Sequence, residues 1–219
     1  MIIAIDGPAG AGKSTIAREV ATRLGFQLVD TGAIYRAVAL EARRRGVDLQ
    51  DADALAAIAR SLDFHFELRG ERNLVFCNGE QLTDEIRSPE NSVAASVVSA
   101  HPRVRDALLD VQRRVGRERD SVLEGRDIGT VVFPDADAKI FLTASPDVRA
   151  RRRVDQLAEG GAVTDYERTL REIQERDERD STRAVAPLVK AADAVEIDST
   201  AHSVHEVVQL ILGAVAAAR

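Results

Sequence analysis

The sequence predicts an α/β fold of three layers, a five-stranded parallel sheet with helices on both faces, carrying a small antiparallel insert. Three observations predict it. Five short apolar runs alternate with segments of helical period, which is how a sheet buried on both faces reads. A glycine-rich loop joins the first run to the first helix. Between about residues 63 and 83 the period changes from helical to alternating and then changes back.

Ile2-Ile3-Ala4-Ile5 is the first strand and ends at Asp6-Gly7-Pro8; Ile16, Val20 and Leu24 then share one face of a helix that Gly25 stops. Leu28-Val29 leads through Asp30-Thr31-Gly32 to a second helix, with Ile34, Ala37, Val38 and Glu41 on one side and its stop at Gly46. Asp51 or Asp53 caps a short helix bearing Leu55, Ile58 and Leu62. In the insert, Phe64, Phe66 and Leu68 alternate with His65 and Glu67, Gly70-Glu71-Arg72-Asn73 turns the chain, and Asn78-Gly79 signals a tight hairpin. Phe26, Phe64, Phe66 and Phe76 in or before it predict a small core of its own. Ser88-Pro89 and His101-Pro102 each open a helix with proline at its first position, the second carrying Val104, Leu108, Val111 and Val115. Val122-Leu123 is a strand ending in Glu124-Gly125-Arg126-Asp127, and Lys139-Ile140-Phe141-Leu142 is another. Thr164 with Glu167 and Ser203 with Glu206 have capping-box spacing. Ala194-Val195-Glu196-Ile197 supplies the last strand, and Val204, Val208, Ile211 and Val215 the last helical face.

A chain of 219 residues, 45% hydrophobic and 30% charged, buries an ordinary core, which excludes a disordered or collagen-like protein. With 30 basic against 36 acidic residues it is no coat for nucleic acid or an anionic membrane, and neither is expected as a partner. Cys77 is alone and forms no internal disulfide; the N-terminal residues lack the sections of a secretion signal. No apolar run approaches the ~20 residues needed to cross a bilayer. A cytoplasmic monomer is the expectation. His65, His101, His202 and His205 show no metal-ligand spacing and are read with Cys77 as structural or solvent-exposed.

Gly7-Pro8-Ala9-Gly10-Ala11-Gly12-Lys13-Ser14 fits the phosphate-loop pattern G-x-x-x-x-G-K-[ST] and lies between a strand and a helix, where its mechanism requires it. Glycines let the backbone N–H groups curl around phosphate oxygens, and the helix adds its positive end. Lys13 is expected to reach the transferred phosphate and Ser14 to hold Mg²⁺ through its hydroxyl, so ATP with Mg²⁺ is the expected donor; Thr15 closes the loop. Only three of the 30 basic residues are lysines, Lys13, Lys139 and Lys190, so a compact ammonium at position 13 stands out.

The chain has neither the N-K-x-D element of a switch GTPase nor the L-S-G-G-Q-like signature of an ABC-type ATPase. A small-molecule kinase fits better, with an acceptor pocket at the strand ends and a lid that keeps water from the donor. In residues 149–183, nine arginines face nine acidic residues, so functional arginines are those freed from acidic partners; Arg149 and Arg153, four apart on one face, are selected. Residue patterns alone end at a kinase of a small anionic acceptor, with UMP, shikimate or gluconate kinases and a non-catalytic nucleotide-binding module as alternatives.

The sequence also resembles the bacterial cytidylate kinases, nucleoside monophosphate kinases that phosphorylate CMP or dCMP. The resemblance runs through Ile-Asp-Gly-Pro-Ala-Gly-Ala-Gly-Lys-Ser from Ile5, Asp-Thr-Gly-Ala-Ile-Tyr-Arg from Asp30, Pro-Arg-Val-Arg from Pro102, Gly-Arg-Asp-Ile-Gly-Thr-Val-Val-Phe-Pro from Gly125 and Arg-Asp-Glu-Arg-Asp-Ser-Thr-Arg-Ala-Val-Ala-Pro-Leu from Arg176. It implies one phosphate-loop kinase domain over residues 1–219, with an acceptor region at about 31–105, the insert near 63–83 belonging to it, and a lid at about 149–175. It implies that Thr31 and Arg36 face the acceptor nucleotide, Arg36 on its phosphate. Ser96 and Arg105 would then read the cytosine edge and Asp127 the sugar. Arg176, Asp180 and Arg183 would line the acceptor site, with Lys13, Arg126, Arg176 and Arg183 as catalytic cations. Arg149 and Arg153 would belong to the ATP lid. Read without the resemblance, Ser96 is an ordinary helix residue and Arg105 a surface residue of its helix. Two departures stand out: Glu124 where the family commonly has Asp, and Asp-Thr at 30–31 where others have Asp-Ser.

Overall fold

The computed structural model describes residues 1–159 and 164–218. Five parallel strands, β1 (Ile2–Asp6), β2 (Gln27–Asp30), β6 (Ser121–Gly125), β7 (Ala138–Thr143) and β8 (Val195–Asp198), run in the order β2-β6-β1-β7-β8. The antiparallel insert is β3 (Phe64–Arg69), β4 (Arg72–Cys77) and β5 (Glu80–Gln81). The eight α-helices found among the described residues are α1 (Lys13–Leu24), α2 (Thr31–Arg44), α3 (Ala52–Ser61), α4 (Pro89–Val98), α5 (Pro102–Arg117), α6 (Pro146–Glu159), α7 (Tyr166–Thr182) and α8 (Val204–Ala217). The expected α/β class, parallel sheet and insert are all present. Contacts gather into two compact units, Met1–Ile2 with Ala21–Glu124, and Ile3–Val20 with Gly125–Arg219.

In the first unit β2 pairs parallel with β6, Val29 opposite Leu123, and both residues are fully buried. The chain passes from β2 into α2 without the intervening loop the sequence suggested. Asp30 is the cap itself, accepting from the Ala33 amide at 3.0 Å, so Thr31 already stands on the first turn. Helix α2 packs on α4, and α3 on α5. Asp51, not Asp53, caps α3. In the insert Phe66 pairs with Val75, and Asn78 and Gly79 both take the left-handed conformation of a tight hairpin (φ 49° and 81°). Phe64 and Phe66 form its core with Leu74 and Val75, while Phe76 is half-buried with its ring 6.0 Å from His65.

In the second unit β1 pairs with β7 and β7 with β8, all parallel, and α8 covers β7 and β8. Ile3, Ala4, Ile5 and Leu142 have no exposed surface, which explains their unbroken apolar run. The capping box of Ser203 and Glu206 is present. The one predicted at Thr164 is not: Asp165 caps α7 by accepting from the Arg168 amide, because a carboxylate one residue closer reaches the same orphan N–H groups. Helix α6 packs on α7, and these two helices hold all but residues 164 and 165 of the described part of the expected lid; its residues 160–163 lie outside the described residues.

Candidate functional site

The second unit holds the phosphate loop. Residues 7–12 run from β1 to the first turn of α1, with positive φ at Gly7, Gly10 and Gly12. At Gly7 (φ 151°) a Cβ would lie 1.9 Å from the Leu142 carbonyl oxygen, so only glycine lets the loop leave β1 against β7. Lys13 is buried and donates to the Pro8 carbonyl at 2.7 Å, folding its ammonium over the loop it is meant to serve. Ser14 and Thr15, one residue on, are exposed on the first turn of α1.

Two arginines of α6 brace this loop. Arg149 is buried; its Nη1 donates to the Ala9 carbonyl at 3.1 Å and to Asp177 of α7 at 2.5 Å, and its Nε to the Ala144 carbonyl at 2.9 Å. The expectation that it is freed from acidic partners is therefore wrong. A guanidinium taken out of water needs a carboxylate, and Asp177 supplies it. Arg153 turns to Gln156 of its own helix at 2.8 Å. Arg152, missed in the sequence, holds Ser199 at 2.8–3.0 Å and lies 3.5 Å from the Ala11 carbonyl. Three consecutive arginines carry no sign of which one meets the loop, since that depends on where α6 docks.

Three predicted cations converge on one carboxylate. Asp180 has Arg126 Nε at 2.9 Å, Arg183 Nη1 at 3.9 Å and Arg176 Nε at 4.0 Å, and its side chain is 10% exposed. Burial alone would raise its pKa, but Arg126, Arg176 and Arg183 together hold it below the usual carboxylate range. Arg183 also lies 3.6 Å from Asp127 and donates from Nε to the Ala186 carbonyl. Asp127 is buried beside this group, and its backbone carbonyl accepts from Val131 and Val132 at the start of a wide helical turn, Ile128–Val132.

Asp6, assigned no role in the sequence, accepts from the Ile128 and Gly129 amides at 2.9 and 2.8 Å. Burial lifts its pKa to about 6 against these two hydrogen bonds, with the negative Asp127 pushing the same way and Lys13 opposing. An acidic residue closing an otherwise apolar buried strand was the signal available for it.

The first unit holds the remaining predicted residues. Arg36 Nη2 donates to Asp30 at 2.6 Å, and Arg87 Nη2 lies 3.7 Å from the same carboxylate. Burial opposes ionisation of Asp30, yet the two guanidinium groups keep its pKa below the ordinary value. Gly32 leaves room for this pair, since a Cβ there would lie 3.1 Å from both Arg36 Nη1 and Asp30 Oδ1. Thr31 is buried and donates to the Glu124 carbonyl at 2.7 Å, and Glu124 is itself buried. Asn91 ties α4 to the Arg36 carbonyl at 2.9 Å. Arg105 is buried, contrary to its isolated reading as a surface residue, because its guanidinium lies over the Tyr35 ring 5.4 Å from the centroid and donates to the Ser99 carbonyl at 3.2 Å. Ser99 in turn donates to the Ser96 carbonyl at 3.0 Å, so Ser96, half-buried on α4, and Arg105 on α5 belong to one connected group.

Among the described residues no three His, Cys, Asp or Glu side chains gather as a metal centre, and Cys77 is buried with its thiol pushed up to about 12, chiefly by burial. No helix of the described residues is long and apolar enough to cross a membrane. The arrangement is that of a glycine loop with a lysine folded over it, a cluster of arginines around Asp180, and a second group in which Arg36 pairs with Asp30 and Arg105 lies over Tyr35.

A family model described as cytidylate kinase matches residues 3–217. The cytidylate kinase of Pelotomaculum thermopropionicum is 53% identical over 218 residues, 99% of this chain and 96% of that protein. The cytidylate kinase of Vibrio cholerae is 50% identical over 96% of this chain and 94% of that protein. The solved structure of an uncharacterized protein from Eubacterium ventriosum covers 99% of this chain and 98% of its own at TM-score 0.53 and 14% identity, a likeness of fold alone.

Proposed function

The chain belongs to the cytidylate kinase family, and from that premise we propose that it transfers the γ-phosphate of ATP to CMP or dCMP, giving ADP and CDP or dCDP. The observation that carries the reading is the convergence of Arg126, Arg176 and Arg183 on Asp180. Three guanidinium groups gathered around Asp180, with Asp127 beside Arg183, bring many N–H donors to one place, and a phosphate dianion is a ligand that matches such a donor set. The acceptor needs no general base, because a nucleotide phosphate with a second pKa near 6 is already largely ionised at neutral pH. Placement and charge neutralisation therefore do the catalysis.

In this reading Gly7 to Thr15 hold the donor phosphates and Lys13 leaves the Pro8 carbonyl for the transferred group. Arg149 acts on ATP through the loop it braces, and Arg153 belongs to the lid. Arg36 takes the acceptor phosphate, Thr31 and Asp127 position the nucleotide, and Ser96 with Arg105 reads cytosine. The exposed Ser14 hydroxyl fits Mg²⁺, whose remaining ligands come from phosphate and water; when bound, the ion offsets charge on the donor oxygens. The reading carries with it a cytoplasmic address, a monomeric state, the acceptor region 31–105 and the lid 149–175. A coupled ADP-release assay with Mg²⁺-ATP and each of CMP, dCMP, UMP, AMP, GMP and shikimate tests it. Turnover confined to CMP and dCMP is expected; preference for another acceptor overturns the base-reading assignment, and no turnover with any overturns the kinase reading.

A further inference from the structure

We propose that Asp6 is a positioning residue for phosphoryl transfer: its carboxylate clamps the backbone at Ile128 and Gly129 and so sets Arg126 and Asp127. This rests on the acceptor roles proposed above for those two residues. The Ile128 and Gly129 amides open the wide turn Ile128–Val132, and first-turn N–H groups have no partner within their own helix. A capping side chain would normally satisfy them from the preceding residue, but Asp127 makes no such bond. Asp6 does it from 122 and 123 residues away, one carboxylate oxygen to each amide, at 2.9 and 2.8 Å. Two N–H groups side by side call for two acceptor atoms in a fork, which an ionised carboxylate has and an amide or hydroxyl side chain lacks.

Asp6 is also the residue before Gly7, where a Cβ would collide with the Leu142 carbonyl. One buried side chain therefore joins the entrance of the phosphate loop to the segment that carries a phosphate-binding arginine and the sugar-facing aspartate. Gly129 belongs to the same device. A Cβ on it would meet Lys139 Cδ and Cγ at 3.2 and 3.3 Å, closer than ordinary contact, and Asp6 Oδ2 at 3.5 Å, so a side chain there would press on the Lys139 stem beside the clamp. Asp6 acts on the acceptor side through the backbone of residues 126–129, and its charge also bears on Lys13.

The test is Asp6→Asn in the full chain, read by amide hydrogen exchange of the segment 126–133 and by separate KM values for CMP and ATP. The expected result is exchange at 128 and 129 at least tenfold faster, a CMP KM raised about tenfold and an ATP KM within twofold of wild type. Gly129→Ala, whose Cβ meets the Lys139 side chain and so shifts residue 129 against Asp6, is expected to move both readouts in the same direction by about threefold, and it serves if Asp6→Asn does not fold. Unchanged exchange in a folded variant overturns the clamp. A lowered Tm with both KM values unchanged reduces Asp6 to a structural residue. Faster exchange with an unaltered CMP KM also overturns the positioning role, and it locates the failure in the acceptor assignment of Arg126 and Asp127.

Discussion

Replacing Asp180 by asparagine keeps the shape of the side chain and deletes the charge on which three arginines converge. At an effective dielectric constant near 20, two unit charges about 4 Å apart interact by roughly 4 kcal/mol. Arg126 and Arg183, with side chains 19% and 10% exposed, hold most of that attraction. Arg176 is 37% exposed at the side chain, so solvent screening leaves its share below about 1 kcal/mol. Removing one partner from a buried ion group costs about 3–5 kcal/mol, because the remaining charges stay buried without their counter-ion. For a chain of this size that is a fall in Tm of roughly 10 °C. Urea unfolding followed by circular dichroism at pH 7 measures the loss. Added sulfate supplies the missing negative charge, and at a hundredfold excess over its Kd it should return about 2.7 kcal/mol to the variant. The wild type, whose cluster already holds a carboxylate, should gain less. A loss under about 1 kcal/mol, or equal stabilisation of both proteins by sulfate at matched ionic strength, would refute the shared-carboxylate account.

Lys13→Met should lower kcat by two or more orders of magnitude with an unchanged far-ultraviolet spectrum, since it deletes the ammonium meant for the transferred phosphate; retained turnover in the folded variant removes that role. Arg105→Met should keep the stacking volume over Tyr35 and lose the hydrogen-bond fork, so selectivity for CMP over UMP and AMP should drop with little change in the ATP KM. Competition assays decide it, and an unaltered preference ends the assignment. Asp30 contributes stability above its ordinary pKa of 3.8 and loses it as pH falls through the lower value that Arg36 and Arg87 impose in the folded chain. The stability gap between wild type and Asp30→Asn should therefore be full at pH 5 and close on further acidification; a gap independent of pH would show that the carboxylate is not held by those arginines.

Local signals made the elements legible. The strand, glycine loop and helix over residues 2–24, the Asn78-Gly79 hairpin and the Ser203–Glu206 box could be read because each is formed by atoms a few residues apart. Where two nearby groups compete for one local role, the reading slipped: Asp165 displaced Thr164 as the cap of α7, and Asp30 became the cap of α2 and left no loop after β2. The membership of Arg126, Arg176, Asp180 and Arg183 in the candidate site came from motif resemblance, since spacing alone does not distinguish them from solvated surface charges.

By itself the sequence determined the class of fold, the phosphate loop and its lysine, and the kinase family. Only the tertiary structure decided which charges meet. Arg149 reaches Ala9 and Asp177 across 140 and 28 residues, Arg152 approaches Ala11 across 141, and Asp6 clamps Ile128 across 122. A buried charge is tolerable only beside a partner, and for these side chains the partner lies on another element. The docking of α6 therefore chose among three adjacent arginines, and the pairing of β1 with β7 gave Asp6 its setting, through contacts that no local pattern encodes.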